Sequence, residues 1–152
     1  MATVEKPRQQ KNTEIKAEIA KTFGKVPTWV SEMPDSALEG FWGLMRDFQL
    51  AETAIPNKYK ELIGLGVSGA TRCRYCALFH TEAAKLFGAT DEEISEAAMM
   101  AAHTMGASTF LNTMQIDYDQ FKDETLEAIA YVRSQSPQAQ QGATASGTRA
   151  HA

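Results

Sequence analysis

Three features of the chain predict an all-α fold. Apolar residues recur at helical spacing, first as Ile15, Ile19 and Phe23, then as Leu38, Phe41, Trp42, Met45 and Phe48. Helix start and stop signals separate these stripes. No stretch alternates apolar and polar residues as a half-buried strand would, and no internal repeat is present. The expected organisation is a flexible N-terminus over 1–12, one helical domain over 13–133 and a disordered tail over 134–152.

Each element has its own warrant. Thr13 is the expected N-cap of the first helix, which Gly24 and Pro27 end. VPTWVSEMP (26–34) reads as a short connecting turn, after which Asp35 caps a helix over 36–49. Pro56 and Asn57 open a helix over 58–70. The cysteine-bearing segment follows, and continues as a helix to Phe87, closed by Gly88. GATDEEISEAAMMAAHTMG (88–106) places Thr90 at the cap and Asp91, Glu92 and Glu93 in the first turn, where carboxylates favour the helix dipole. STFLNTMQIDYDQFKDETLEAIAYVRS (108–134) is helical again, with a break expected near Asp123. The tail is rich in Gln, Ser, Ala and Gly and poor in apolar bulk.

The 152 residues suffice for one core, and 43% apolar with 22% charged residues fits a globular protein. A formal net charge of −4 is not the footprint of a nucleic-acid binder. No apolar run approaches a membrane span and no secretory signal is evident, so the expected location is the cytoplasm. In that reducing compartment the two cysteines are poor candidates for a structural staple, and so tight a loop would gain little from one. Chemistry or metal binding is the better reading.

TRCRYCALFH (71–80) holds both cysteines and a histidine. On a helix, Cys73, Cys76 and His80 share one face, because their offsets are three and four residues. Cys73 falls in the first turn, where unpaired N–H groups and the dipole favour a thiolate, and Arg72 and Arg74 add positive potential. The stretch can supply a nucleophilic thiol, a resolving thiol and a proton carrier, as a dithiol redox site requires.

Rival readings are available. Two cysteines can be core hydrophobes. Two thiols, an imidazole and Glu61 could bind zinc, although no second ligand pair exists and His103 and His151 stand alone. A thioredoxin fold lacks its βαβ context. GLGVSG (64–69) matches a dinucleotide fingerprint but sits inside a helix, where small residues serve close packing. His103 reads as a core or interface histidine, and the Met99, Met100, Met105 and Met114 cluster as packing material. Trp29 and Trp42 read as core or interface anchors, and His151 lies in the tail.

Residues 55–97, IPNKYKELIGLGVSGATRCRYCALFHTEAAKLFGATDEEISEA, closely resemble the core of the carboxymuconolactone decarboxylase / alkyl hydroperoxidase D (AhpD)-like family. The family's pattern is a glutamate, eleven residues, CxxC, three residues and a histidine, here Glu61, Cys73, Cys76 and His80. The resemblance implies an all-helical AhpD-like bundle that assembles into trimers or hexamers, with a hexamer favoured. It implies a peroxidase or disulfide reductase without a bound cofactor or metal, using a peroxide substrate and an external dithiol or protein reductant. Cys76 would attack the peroxide, Cys73 would resolve the sulfenic acid as a disulfide, and Glu61 with His80 would relay protons. Tyr75 stands where AhpD has a relay histidine. Dipole reasoning favours Cys73 as the acidic thiol and the resemblance favours Cys76 as the attacker; an acidic Cys73 suits a leaving group. The family's decarboxylase branch does not depend on a CxxC pair.

Overall fold

The computed structural model describes residues 2–135, and the tail beyond, with His151, lies outside them. Seven α-helices follow in order: α1 (Ala2–Phe23), α2 (Thr28–Ser31), α3 (Asp35–Leu44), α4 (Asn57–Thr71), α5 (Arg74–Leu86), α6 (Asp91–Thr113) and α7 (Tyr118–Ser134). A π-helical turn, Met45–Gln49, continues α3. No strand occurs among the described residues. The described chain divides into two compact units, one reaching to His103 and the other beginning at Thr104.

The apolar stripes do what their spacing requires. Ile15 and Ile19 of α1, Val30 of α2, and Leu38 and Trp42 of α3 form a buried cluster, with Phe23, Val26, Met33, Met45 and Leu50 packed around it. Each such side chain contributes about 1.5–3 kcal/mol by leaving water. Phe23 meets Trp42 edge to face with centroids 5.9 Å apart. Trp42 buries its ring without orphaning its N–H, since Nε1 donates to Glu18 Oε2 at 2.9 Å.

α1 starts at Ala2 rather than at Thr13, and Thr13 Oγ1 donates to the Gln9 carbonyl at 2.9 Å, a bond made inside a helix. Pro34, not Asp35, stands at the N-cap of α3, and Pro27 and Pro56 do the same for α2 and α4. The ring presets the extended φ that a cap needs, and its carbonyl takes the first bond, as in Ala37 N–H to Pro34 O at 2.9 Å. Thr90 caps α6 as expected, and with Glu93 it closes a capping box: Glu93 N–H donates to Thr90 Oγ1 at 3.1 Å, and Thr90 N–H to Glu93 Oε2 at 2.9 Å. Glu93 Oε1 also pairs with Lys58 at 2.7 Å, tying α6 to α4.

Three helices end in the same way. After α5, Gly88 has φ +84°, Gly88 N–H donates to Lys85 O at 3.0 Å and Ala89 N–H to Ala84 O at 2.9 Å. Arg72 after α4 (φ 57°) and Gln115 after α6 (φ 51°) repeat this geometry without a glycine. α6 therefore runs unbroken through Gly106, and the chain breaks at 114–117 rather than near Asp123. Asp117 restarts it by accepting from Gln120 N–H at 2.8 Å.

Neither α6 nor α7 contributes a buried residue. Met99, Met100, Met105 and Met114 are exposed, as is His103, which α6 does not turn into a core. Trp29 is half exposed, whereas Trp42 is buried. No described helix is long and apolar enough to cross a membrane.

Candidate active site

α4 buries a polar face. Asn57, Lys60, Glu61 and Ser68 are all buried on it, with Leu65 between them. Glu61 is 0% exposed, so its carboxylate must be satisfied by protein groups. Its Oε2 lies 2.6 Å from His80 Nδ1 on α5, and its Oε1 accepts from Gln49 Nε2 at 3.3 Å. A carboxylate accepts only, so Nδ1 carries the proton and Nε2 of a neutral His80 keeps its lone pair.

The approach of α5 to α4 depends on Gly64. A Cβ there would fall 2.5 Å from His80 Cε1, 2.6 Å from Nδ1 and 2.7 Å from Nε2. The glycine that suggested a nucleotide fingerprint is the floor on which the imidazole rests. Gly66 similarly faces Ala101 of α6, whose Cβ would be 3.7 Å away.

The turn at Arg72 delivers the thiols. Its left-handed backbone ends α4, and Cys73 follows with φ −88° and ψ 96° as the N-cap of α5. Cys73 thus precedes the helix rather than lying in its first turn. Its Sγ accepts from the Cys76 N–H at 3.3 Å, as a serine oxygen would in a cap. The hydrogen bond from the Cys76 thiol, then the backbone N–H groups of Cys76 and Tyr75, hold the Cys73 thiol below its ordinary range. Cys76 moves the other way, raised chiefly by that hydrogen bond, with partial desolvation and the charge of Cys73 adding to it. The pair therefore shares its first ionisation, with the charge resting on Cys73.

Cys76 is exposed and Cys73 half-buried. Cys76 and His80 open onto a cavity of about 460 Å³ walled by Trp29, Phe41, Met45, Tyr75 and Phe79, with Gln49 beside them. Trp29 and Phe41 stack edge to face at 5.6 Å. Tyr75 is held by Arg74, whose guanidinium lies 5.0 Å from the ring centroid. Among the described residues, no three His, Cys, Asp or Glu side chains converge as metal ligands would.

Glu61 and His80, expected to meet, are in contact; Cys73 and Cys76 meet through a cap; His103 lies exposed on α6. Gln49 and Lys60 are polar participants that motif spacing did not reveal. The available signal was Gln49's place on the Trp42–Met45 face, where an apolar residue belongs.

Known proteins now bear on this geometry. The crystal structure of the alkylhydroperoxidase AhpD core from Rhodospirillum rubrum shares the fold with a TM-score of 0.65 at 24% identity, over 79% of this chain and 91% of that one. Uncharacterized protein 4 in the cox locus of Paracoccus denitrificans is 33% identical over 60 residues, 40% of this chain. The chain spans 54% of the length of that curated relative. The model of the carboxymuconolactone decarboxylase family matches residues 37–117. That span exceeds half of the chain and takes in the π turn, the buried carboxylate, both thiols and the histidine, so the chain belongs to the carboxymuconolactone decarboxylase family.

Proposed function

We propose that this protein is a thiol peroxidase that reduces apolar organic hydroperoxides through a Cys73–Cys76 disulfide. One observation carries the reading: Cys76 and His80 face the same aromatic-walled cavity, while the fully buried Glu61 holds the far nitrogen of His80. The cavity falls within the usual size of small-molecule sites, about 300–1,000 Å³, and its walls suit a hydrocarbon better than water or hydrogen peroxide. The decarboxylase chemistry of the family's name has no use for a thiol pair.

The reaction balances with the groups present. The Cys76 sulfur attacks the terminal oxygen of ROOH; the O–O bond breaks, Cys76 becomes a sulfenic acid and RO⁻ leaves. The leaving alkoxide takes a proton from the Glu61–His80 relay, which receives the one that Cys76 gives up. Cys73, passing its proton to His80 as it ionises, then attacks the Cys76 sulfur; the S–O bond breaks, the leaving hydroxide takes that proton from His80 to become water, and the disulfide closes. An external dithiol supplies two electrons and two protons by exchange, and the acidic Cys73 is the better leaving thiol.

We further propose a homo-oligomer, a trimer or hexamer, supported by the exposed apolar side chains of α6 and α7, among them Phe110, Phe121 and Leu126. Light scattering on the eluting protein checks it, and a monomer mass ends it.

Thiol titration before and after a pulse of cumene hydroperoxide should show both thiols consumed per chain. Cys76→Ser should abolish turnover, and kcat/KM for the organic peroxide should exceed that for hydrogen peroxide by about tenfold or more. Undiminished turnover in Cys76→Ser overturns the reading.

A further inference from the structure

The π turn that continues α3 has no part in the motif, yet α4 grips it at three points. Lys60, 9% exposed, donates from Nζ to the Phe48 carbonyl at 2.7 Å and to the Ala51 carbonyl at 2.6 Å. Asn57, 5% exposed, donates from Nδ2 to the Leu50 carbonyl at 3.0 Å. Leu50 N–H closes the wide turn onto the Met45 carbonyl at 2.9 Å. An ammonium group with so little exposure costs stability unless it is paired, so this clamp is a built feature. It satisfies the carbonyls that a π turn leaves behind, and it sits one residue from Glu61. Wide turns of this kind re-aim the side chains they carry and recur at functional sites.

The side chain re-aimed here is Gln49. It lies between the clamped carbonyls of Phe48 and Leu50, lines the cavity beside Cys76, and donates Nε2–H to Glu61 Oε1. Glu61 then has one oxygen on each partner, Gln49 and His80. With only the histidine bond, the carboxylate could turn about its last torsion; with both, its plane is set.

We propose that Gln49 is the positioning residue of the proton relay: it fixes the Glu61 carboxylate so that His80 presents a free Nε2 to the cavity. This rests on the peroxidase reading for its consequence, though not for its geometry. Gln49 acts through Glu61 and supplies no proton of its own. Lys60 and Asn57 hold the turn that presents it.

The test uses the reduced full-length chain and two variants. Gln49→Met keeps the length and removes the donor; Gln49→Glu keeps the shape and sets a second carboxylate against the first. The His80 Nδ1 proton, in a 2.6 Å bond to a carboxylate, should give a low-field proton NMR resonance, assigned by its loss in His80→Gln. In both Gln49 variants it should move upfield or broaden. The kcat for cumene hydroperoxide should fall about tenfold while KM stays within about twofold, the signature of a relay disturbed rather than a cavity rebuilt. An unchanged resonance with unchanged kcat in both variants overturns the proposal. Should the wild-type chain consume no hydroperoxide, the peroxidase reading fails, and the resonance alone decides for or against Gln49.

Discussion

The helices α1 and α3 and the helix α4 bury opposite kinds of surface. Between α1 and α3 the buried groups are mostly hydrocarbon and one indole, Ile15, Ile19, Leu38 and Trp42, with a single amide, Asn12, donating to the Asp35 carbonyl at 3.1 Å. On α4 they are chiefly an amide, an ammonium, a carboxylate and a hydroxyl, Asn57, Lys60, Glu61 and Ser68, with Leu65 the one apolar side chain among them. The first set stabilises by leaving water and tolerates imprecise geometry. The second gains little from burial and must be matched bond for bond. It is matched at all but one atom: Lys60 meets two carbonyls, Glu61 meets His80 and Gln49, and Ser68 donates to Gly64 O at 2.6 Å, while among the described residues Asn57 Oδ1 is buried without a partner. Position is what the polar face secures, and position is what a proton relay needs. Stability should therefore depend chiefly on the one region and chemistry on the other.

Exchanging the damage between the regions is the strongest way to break that division. Trp42→Ala should cost about 3–5 kcal/mol in urea unfolding, through lost burial and the cavity left behind. Its folded fraction should still oxidise its thiols at the wild-type rate. Glu61→Gln keeps size, and its amide N–H can donate to His80 Nδ1 once the imidazole takes the other tautomer, so its unfolding midpoint should stay near that of the wild type, while turnover falls about 10²-fold or more because Nε2 then carries the proton. If the indole variant loses its chemistry while still folded, or the carboxamide variant keeps it, the two regions do not divide the work.

Gly64→Ala sharpens the comparison at a smaller scale, since it puts a hydrocarbon where polar geometry is set. The new methyl would overlap the imidazole, with all three nearest contacts at 2.5–2.7 Å to His80. A helix interior favours alanine by about 1 kcal/mol, and overpacking costs about 1–3 kcal/mol. These two terms partly offset, but His80 must also leave its seat on the buried Glu61, which adds to the cost. Turnover should drop about tenfold or more, the unfolding midpoint should fall with it, and the low-field His80 resonance should weaken. Unaltered turnover would mean that the ring is not held by the α4 backbone.

Much of this was legible from local chemistry. Thr90, Glu93 and Gly88 announced helix ends because each acts on its own backbone neighbours. The spacing of Cys76 and His80 was legible because a helix face repeats, whereas Glu61, on another helix, stood out only through the family resemblance. Arg72 and Gln115 were not, since their left-handed backbones carry no glycine to betray them and are stabilised by the bonds around them. Pro34 displaced Asp35 at the cap, where a preset φ outweighed a carboxylate. The π turn was hidden because its stripe of Trp42, Met45 and Phe48 suits an α-helix equally well. Gln49 was hidden with it, its partner being twelve residues away and on another helix.

The smallest effect lies at the join between the two kinds of burial, where Cys73 is at once a helix cap and a reactive thiol. Cys73→Ser keeps the cap, because a serine oxygen accepts the Cys76 N–H equally well. What it removes is an ionisable group. In the fold the Cys73 thiol is held below its ordinary range, chiefly by its hydrogen bond from Cys76. A depressed thiol adds stability as pH rises through its lowered value, complete at the unfolded value of about 8.5, and loses it as pH falls. Cys76, raised by its neighbour, gives stability back only above the ordinary thiol range. With reductant present, the wild-type chain should therefore outlast Cys73→Ser more at about pH 8 than at about pH 6 in urea unfolding. An equal difference at both would mean that the Cys73 thiol ionises in the fold as it does in the unfolded chain, and that the cap does nothing to prepare it for exchange.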